Sequence, residues 1–429
     1  MFPRPRLGAL RRFRAPSWLV LLVLLLFLEV AIHYYSLLVP RPPREQDAVF
    51  HRGCANPADY TRREKAVLVM LARNHEVEGA LETVHLVEQR FNRFFNYPIM
   101  FLNDEQWEPE VMAALNSSVS GVARFEVIPN GKWGYPEGMD KAKAEESMRQ
   151  QEKDGVKYGG TVSYHHMCRF FSGEFFLLDA LKEYKWYWRI EPNVGFYCDL
   201  TYDPFVEMAR NNKVYGWTMA TWERGETVPS LFRVTSDYKE AHGYATTTLW
   251  TAFLSASWLP MPLRWLAAHF SLRDRYGDRW NRCHYWDNFE IADLDFFRGR
   301  AYQKYYRFLD GLGGFYAERW GDASVHSLAV GMLLDPKQVH HFQDIAYMHD
   351  NLWVCPNNAP GAQLPELPAA PGNPAPKPDP ERAGGVGCRC SCPDGGGSRR
   401  QSNHHNECLL RLKEPNTRER TVLPRILWW

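Results

Sequence analysis

Ala66-Val67-Leu68-Val69-Met70-Leu71, Pro98-Ile99-Met100-Phe101-Leu102 and Arg124-Phe125-Glu126-Val127-Ile128 are three short β-prone stretches, and the segments between them decide the fold. Residues 76–95 carry apolar positions at helical spacing with mixed charge, and a second helical stretch precedes Arg124. Strand, helix and strand repeated in this way predict an α/β fold with a mostly parallel sheet of the nucleotide-binding kind. Working outward, residues 140–154 read as a highly charged, solvated helix. Residues 187–190 are aromatic and β-prone, and residues 214–220 form another strand candidate.

The chain has 429 residues, 45% hydrophobic and 24% charged, enough for a large core in one catalytic domain or two fused lobes. A net charge of +1, with no basic stripe beyond the N-terminus, gives no support for a nucleic-acid partner. Sixteen Trp and 21 Tyr suit a carbohydrate or nucleotide site, but they fill cores equally well.

Arg4, Arg6, Arg11, Arg12 and Arg14 precede an apolar stretch over residues 18–39, with no acid before Glu29. Such a stretch can span a bilayer with the arginines on the cytosolic side, the type II orientation. A cleaved signal peptide is the rival, because the pure apolar run is short and Glu29 interrupts the rest of the stretch. No small-residue cleavage site comes cleanly after it, which favours the anchor. The expected organisation is a cytosolic tail over 1–17, a signal anchor over 18–39, a stem over 40–62 and a catalytic domain over 63–357. Beyond these come a disordered Pro/Gly-rich linker over 358–387 and a Cys-rich tail over 388–429.

Nine cysteines suit an oxidising lumen, and the odd number leaves at least one thiol over. Within the expected domain, Cys168, Cys198, Cys283 and Cys355 predict two disulfides, and three pairings are open. Cys388, Cys390, Cys392 and Cys408, with His404 and His405, fit disulfides better than a zinc site, given the CxC spacing. Asn116-Ser117-Ser118 is a sequon for N-glycosylation at Asn116.

Tyr187-Trp188-Arg189-Ile190-Glu191-Pro192-Asn193-Val194 ends a strand of bulky residues in a carboxylate. An acid at such a strand end can hold a divalent cation against a nucleoside diphosphate, the anionic leaving group of a sugar-nucleotide transfer. Taken alone, the same stretch also reads as a strand, a turn and a capping Glu.

Four motifs in fixed order narrow that choice. They are Tyr164-His165-His166-Met167-Cys168-Arg169-Phe170, Tyr187-Trp188-Arg189-Ile190-Glu191-Pro192, Cys283-His284-Tyr285-Trp286-Asp287-Asn288-Phe289-Glu290-Ile291 and Gly313-Gly314-Phe315-Tyr316-Ala317-Glu318-Arg319-Trp320-Gly321-Asp322-Ala323. Leu71-Ala72-Arg73-Asn74, Phe101-Leu102-Asn103-Asp104, Asp344-Ile345-Ala346-Tyr347 and Cys355-Pro356 extend the pattern over roughly residues 66–356. Together they resemble glycosyltransferase family 15, the fungal α-1,2-mannosyltransferases.

That resemblance implies a GT-A fold, GDP-mannose as donor, Mn²⁺ as metal, a mannose-terminated glycan as acceptor and a product that retains the α configuration. It also implies a Golgi membrane location with the catalytic domain in the lumen. By the same resemblance Glu191 and His349 are the metal ligands and Glu290 is the essential catalytic residue, the family's candidate nucleophile. Tyr164 then reaches the mannose near the acceptor side and Asp322 binds a sugar hydroxyl, while Arg73, just past the first strand, is placed to meet the nucleotide because strand ends in such sheets bind ligands. Asn193 stands where relatives often carry an acid. Glu290, coming after Trp286 and Phe289, is expected in a mostly apolar wall, and both a covalent glycosyl-enzyme and a front-face attack stay open. A glycan-binding scaffold without turnover is the alternative function. Residues 244–281, with Trp250, Trp258 and Trp265, match none of these motifs and predict either an acceptor-side lining or an amphipathic surface excursion.

Overall fold

The computed structural model describes residues 16–38, 48–350, 352–365, 377–393 and 403–413. Its centre is a seven-stranded sheet built from β1 (Ala66–Leu71), β2 (Ile99–Asn103), β3 (Ala123–Val127), β4 (Trp186–Ile190), β5 (Tyr215–Trp217), β6 (Glu290–Asp293) and β7 (Val339–His341). The spatial order is β3-β2-β1-β4-β6-β5-β7. β3, β2, β1 and β4 pair in parallel, β6 runs antiparallel to both β4 and β5, and β7 is parallel to β5. Six strands therefore point one way and β6 alone points back.

β1 reads as an unbroken apolar run because both of its faces are covered. Val67 and Val69 pack on one side with Met100, Leu102 and Tyr187. Leu68 and Met70 pack on the other with Ile99, Phe101 and Trp188. The helix expected over 76–95 runs from Val77–Val87 through a π turn to Phe95 and stops at Asn96, which adopts a left-handed φ of 55°. The charged helix forms over Lys141–Lys153, with the Asp140 carboxylate accepting from the Lys143 amide at 3.1 Å.

The cysteines depart from expectation. Cys168 is buried and unpaired, and the other three core cysteines bond outward: Cys198–Cys390, Cys283–Cys408 and Cys355–Cys392, with Cys54–Cys388 as the fourth bridge. No disulfide joins two of the four predicted partners, because three of them are taken up by cysteines of the returning tail. Pairing of Cys388, Cys390, Cys392 and Cys408 uses the thiols a tail zinc site would need. The side chains of His404 and His405 lie outside the described residues.

The described part of the tail is consequently fastened to the main body. Asn358 donates to the carbonyls of Asp379 and Cys390 and accepts from the Cys390 amide at 2.7 Å, so both ends of the expected linker are fastened. Residues 366–376 lie outside the described residues. Helix Asn403–Lys413 buries Cys408 and Leu412 in the main core. Near the N-terminus, α1 (Ser17–Leu38) is long and apolar enough over Ser17–Tyr35 to cross a membrane. In the 244–281 stretch, Trp250 is buried, whereas Trp258 and Trp265 are exposed.

Candidate active site

Parallel strands deliver the residues just past their ends to one edge of the sheet, and the reversed β6 brings its first residue to that same edge. Glu191 comes directly after β4, while Glu290 opens β6 and faces Arg189 across the ladder. Helix α2 (Asp322–Leu333) starts beside them, and the four-residue spacing from Asp322 places His326 on the same helix face.

Arg189 organises this edge. Its Nε and Nη2 donate to Glu191 Oε1 at 3.0 and 2.6 Å. Its Nη1 donates to Asp322 Oδ2 at 2.7 Å and Asp287 Oδ2 at 3.2 Å, and its guanidinium lies 3.8 Å from the Phe171 ring centre. Burial on its own would lower the Arg189 pKa, but the carboxylates of Asp287, Glu191 and Asp322 hold it well above normal. Burial likewise opposes ionisation of Asp322, yet Arg189 and His326 keep its pKa below the usual carboxylate value. Asp287 goes the other way, raised by burial and by the neighbouring Asp322 charge. Of this pair, Asp322 is the ionised member and Asp287 the one that more readily holds a proton.

Glu290 differs from expectation in its surroundings. It is fully buried in a polar setting, with one carboxylate oxygen bonded by the Tyr187 hydroxyl and the other 3.0 Å from His326 Nδ1. The reason is the sheet pleat: Tyr187, Arg189 and Glu290 share the face that α2 covers. His326 Nε2 lies 2.9 Å from the Phe171 carbonyl. Burial penalises its charge, but Glu290 and Asp287 outweigh that and raise its pKa to about 9. Glu290 is itself raised, chiefly by burial, with His326 opposing the rise. An imidazolium–carboxylate pair therefore closes the floor of the site.

The opposite end is more open. Strand Tyr347–His349 pairs antiparallel with Gly195–Phe196, just beyond Glu191, which brings His349 Nε2 to 3.9 Å from Glu191 Oε2. The His349 ring centre lies 4.9 Å from that of Trp286, and its buried Nδ1 has no hydrogen-bond partner. A carboxylate oxygen facing an imidazole nitrogen is a donor set that fits a divalent cation such as Mn²⁺. Asn193 is not a third donor in this geometry. It takes a left-handed φ of 61°, its amide donates to the Gly79 carbonyl, and its side chain fills the space a Cβ on Gly79 would need.

The remaining predicted residues spread outward. The Tyr164 ring stacks on Tyr158 at 4.5 Å and faces the Arg319 guanidinium at 5.3 Å, and burial raises its hydroxyl pKa. Arg319 bonds Glu223, which accepts from Ser324 on α2, so Tyr164 is tied to the helix that carries Asp322. Arg73, just after β1, pairs with Asp104, just after β2, at 3.2 Å, on the same sheet edge but outside the Arg189 network. Asn116 is exposed on helix Pro109–Ser117. Beside Trp286, a cavity of about 340 Å³ is lined by Phe342, Ile345 and Leu352 and walled on one side by Leu409, Leu410 and Lys413 of the tail helix.

Arg189, Tyr187, Asp287 and His326 were not singled out by sequence reasoning. One signal was available: an arginine inside a strand otherwise made of Trp, Tyr and Ile must find carboxylates if that strand is buried on both faces.

The family model described as glycolipid 2-alpha-mannosyltransferase matches residues 42–361. The chain is 38% identical over 366 residues to O-glycoside alpha-1,2-mannosyltransferase homolog 4 of Schizosaccharomyces pombe, covering 79% of this chain and 83% of the relative. Homolog 5 of the same yeast is 41% identical over 330 residues, covering 72% and 76%. Among solved structures, the fold is similar to core-mannan synthase A of Aspergillus fumigatus in its Mn/GDP form, with a TM-score of 0.65, 30% identity and coverage of 89% and 91%. It is similar also to a mannosyltransferase of Saccharomyces cerevisiae in complex with GDP, with a TM-score of 0.67, 28% identity and coverage of 90% and 93%. The mixed sheet with its single reversed strand is accordingly a GT-A glycosyltransferase sheet. By its ordered motifs, its sheet and the match over residues 42–361, the chain belongs to the glycolipid 2-alpha-mannosyltransferase family.

Proposed function

We infer that this chain is a retaining α-1,2-mannosyltransferase that moves mannose from GDP-mannose to a mannose-terminated glycan. We read it as a single-pass type II protein of the Golgi membrane with its catalytic body in the lumen. The observation that carries the activity is the pairing of Glu191 Oε2 with His349 Nε2, 3.9 Å apart at the strand edge where nucleotides bind in such sheets. The apolar α1, the arginines before it and the four disulfides support the placement.

Glu191 and His349 would hold Mn²⁺, which when bound would supply positive charge toward the diphosphate leaving group. Arg189 fixes the Glu191 carboxylate by two hydrogen bonds and leaves its second oxygen facing His349. Asp322 binds a sugar hydroxyl, Tyr164 lies toward the acceptor and Arg73 meets the nucleotide. Transfer breaks the bond from the anomeric carbon to the β-phosphate oxygen, which leaves with the electron pair as GDP. A bond forms from the same carbon to the acceptor oxygen, whose proton is released. Glu290 acts from beneath as a positioning residue: its charge holds His326 against Asp287, and Asp287 shares Arg189 with Asp322 and Glu191.

The full chain in detergent, given GDP-mannose, Mn²⁺ and methyl α-mannoside, should release GDP and form a mannosylated product whose α-1,2 linkage is read by NMR. EDTA should abolish both signals. GDP binding without product for any mannoside acceptor would leave a glycan-binding scaffold in place of the enzyme.

A further inference from the structure

The excursion that matches no catalytic motif carries the largest bare apolar surface of the described lumenal residues. Helix Met261–Ala267 and its flanks expose Trp258 at 68%, Trp265 at 56%, Leu266 at 64% and Phe270 at 70%, with Leu259 and Leu263 also exposed. Residues 258–270 contain no acid, and their one arginine, Arg264, is buried. A contiguous surface of this composition marks an interaction site, and tryptophan is the residue type enriched at the boundary between lipid and water.

The partner is indicated by what already touches the segment. Arg264 forms an ion pair with Glu29 of α1, and the Met261 amide donates to the same carboxylate at 3.3 Å. His33 Nε2 lies 2.7 Å from Asp278 Oδ1, and the Tyr34 ring centre is 4.1 Å from that of Trp258. All of these contacts fall on the C-terminal half of α1. On a helix rising about 1.5 Å per residue, Glu29 sits roughly 9 Å below Tyr35. That depth is similar to the roughly 5–10 Å at which amphipathic segments lie in the boundary between headgroups and acyl chains. The contacts also account for Glu29, an acid that is costly in an apolar span unless a partner of opposite charge meets it there.

We propose that residues 258–270 form an interfacial membrane segment. It is seated in the lumenal leaflet beside α1, with Trp258, Trp265, Leu266 and Phe270 among lipid headgroups and upper acyl chains. The proposal rests on the reading of α1 as a membrane span. Its consequence is a catalytic body held at a fixed tilt against the bilayer, rather than swinging freely on its stem.

The test uses the full chain reconstituted in phosphatidylcholine vesicles that contain a phospholipid with a diazirine placed high on its acyl chain. After irradiation and digestion, labelled peptides should come from both α1 and residues 258–270. Label in α1 alone would overturn the proposal and leave the span intact, whereas label in neither would remove both. Cross-links between two copies through residues 258–270, in place of lipid adducts, would also overturn it. The triple variant Trp258→Asn, Trp265→Asn, Phe270→Asn should lose the segment's label and keep that of α1. GDP-dependent thermal protection of the variant serves as the check that it folds, and undiminished label in a folded variant would sink the assignment of these side chains.

Discussion

The two ends of the Arg189 fork meet different surroundings. At one end Glu191 is partly open, with a side-chain exposure of 26%, and keeps one oxygen facing His349. At the other end Asp287 and Asp322 are mostly buried, and beneath them Tyr187 and His326 bond both oxygens of Glu290. The edge keeps a carboxylate oxygen facing His349, whereas both oxygens of Glu290 beneath are already bonded. Chemistry belongs at the edge, and the floor's contribution is to hold it still. Buried charges are tolerated there because each faces an opposite charge.

Removing the centre of the fork tests this division most severely. Arg189→Met leaves two buried carboxylates and Glu191 without their cation, and stability should fall by about 3–5 kcal/mol. Chemical denaturation measures this; a loss under about 1 kcal/mol would mean the floor is not saturated by Arg189. Next in size is Glu290→Gln, which keeps the shape and removes the charge facing His326. A small displacement of positioned groups costs on the order of 10²-fold in rate, so transfer should fall by about that factor while GDP binding holds. The high-pH limb of kcat should also move to lower pH, because His326 loses the carboxylate that raises it. An unshifted limb with near-normal turnover would end the positioning account. Glu191→Ala acts at the edge and should lower activity about 10- to 100-fold, with a higher Mn²⁺ requirement and unchanged stability. If stability falls with it, the edge and the floor are a single unit.

Smaller still is a pH effect on stability. His326 has a folded pKa raised from 6.5 to about 9, so its stabilising charge is fully present below about 6.5 and is lost as pH rises through about 9. Glu290, with its folded pKa also raised, loses stability in the same direction as pH climbs above its unfolded value. Thermal midpoints should therefore drop between pH 6.5 and 9, and His326→Gln should flatten the drop.

The parts of the molecule legible in the sequence were those with local causes. β1 declares itself because both faces are buried, so every residue from Ala66 to Leu71 is apolar. The helix Lys141–Lys153 declares itself through its charge and its Asp140 cap. β6 was hidden, since four residues bounded by Glu290 and Asp293 show no apolar period, and only the strands on either side make it a strand. The disulfides were illegible for a similar reason: Cys198 meets Cys390 across 192 residues, and no spacing encodes that return. Glu290 lay inside a recognisable motif, yet its partners Tyr187 and His326 come from a strand 103 residues before it and a helix 36 residues after it. Motif reading locates such a residue but cannot see which side of the sheet it faces.

Arg73→Ala gives the smallest expected change and the sharpest reading of where the edge ends. Arg73 lies at the same strand edge as Glu191, but its partner is Asp104, and its side chain is about one-third exposed. The hydrogen bond to Asp104 raises the Arg73 pKa, so the group stays a cation throughout. Exposed pairs of this kind contribute about 0–1 kcal/mol, so folding should barely respond to the substitution. If Arg73 meets the nucleotide, KM for GDP-mannose should rise by about fivefold or less, the equivalent of about 1 kcal/mol, with kcat unchanged. A fall in kcat comparable to that of Glu191→Ala would extend the working edge from β4 across β1, and Arg73 would then act on the departing diphosphate itself. No change in either constant would confine the edge to Glu191 and His349, and Arg73 would be left as the partner that fixes Asp104.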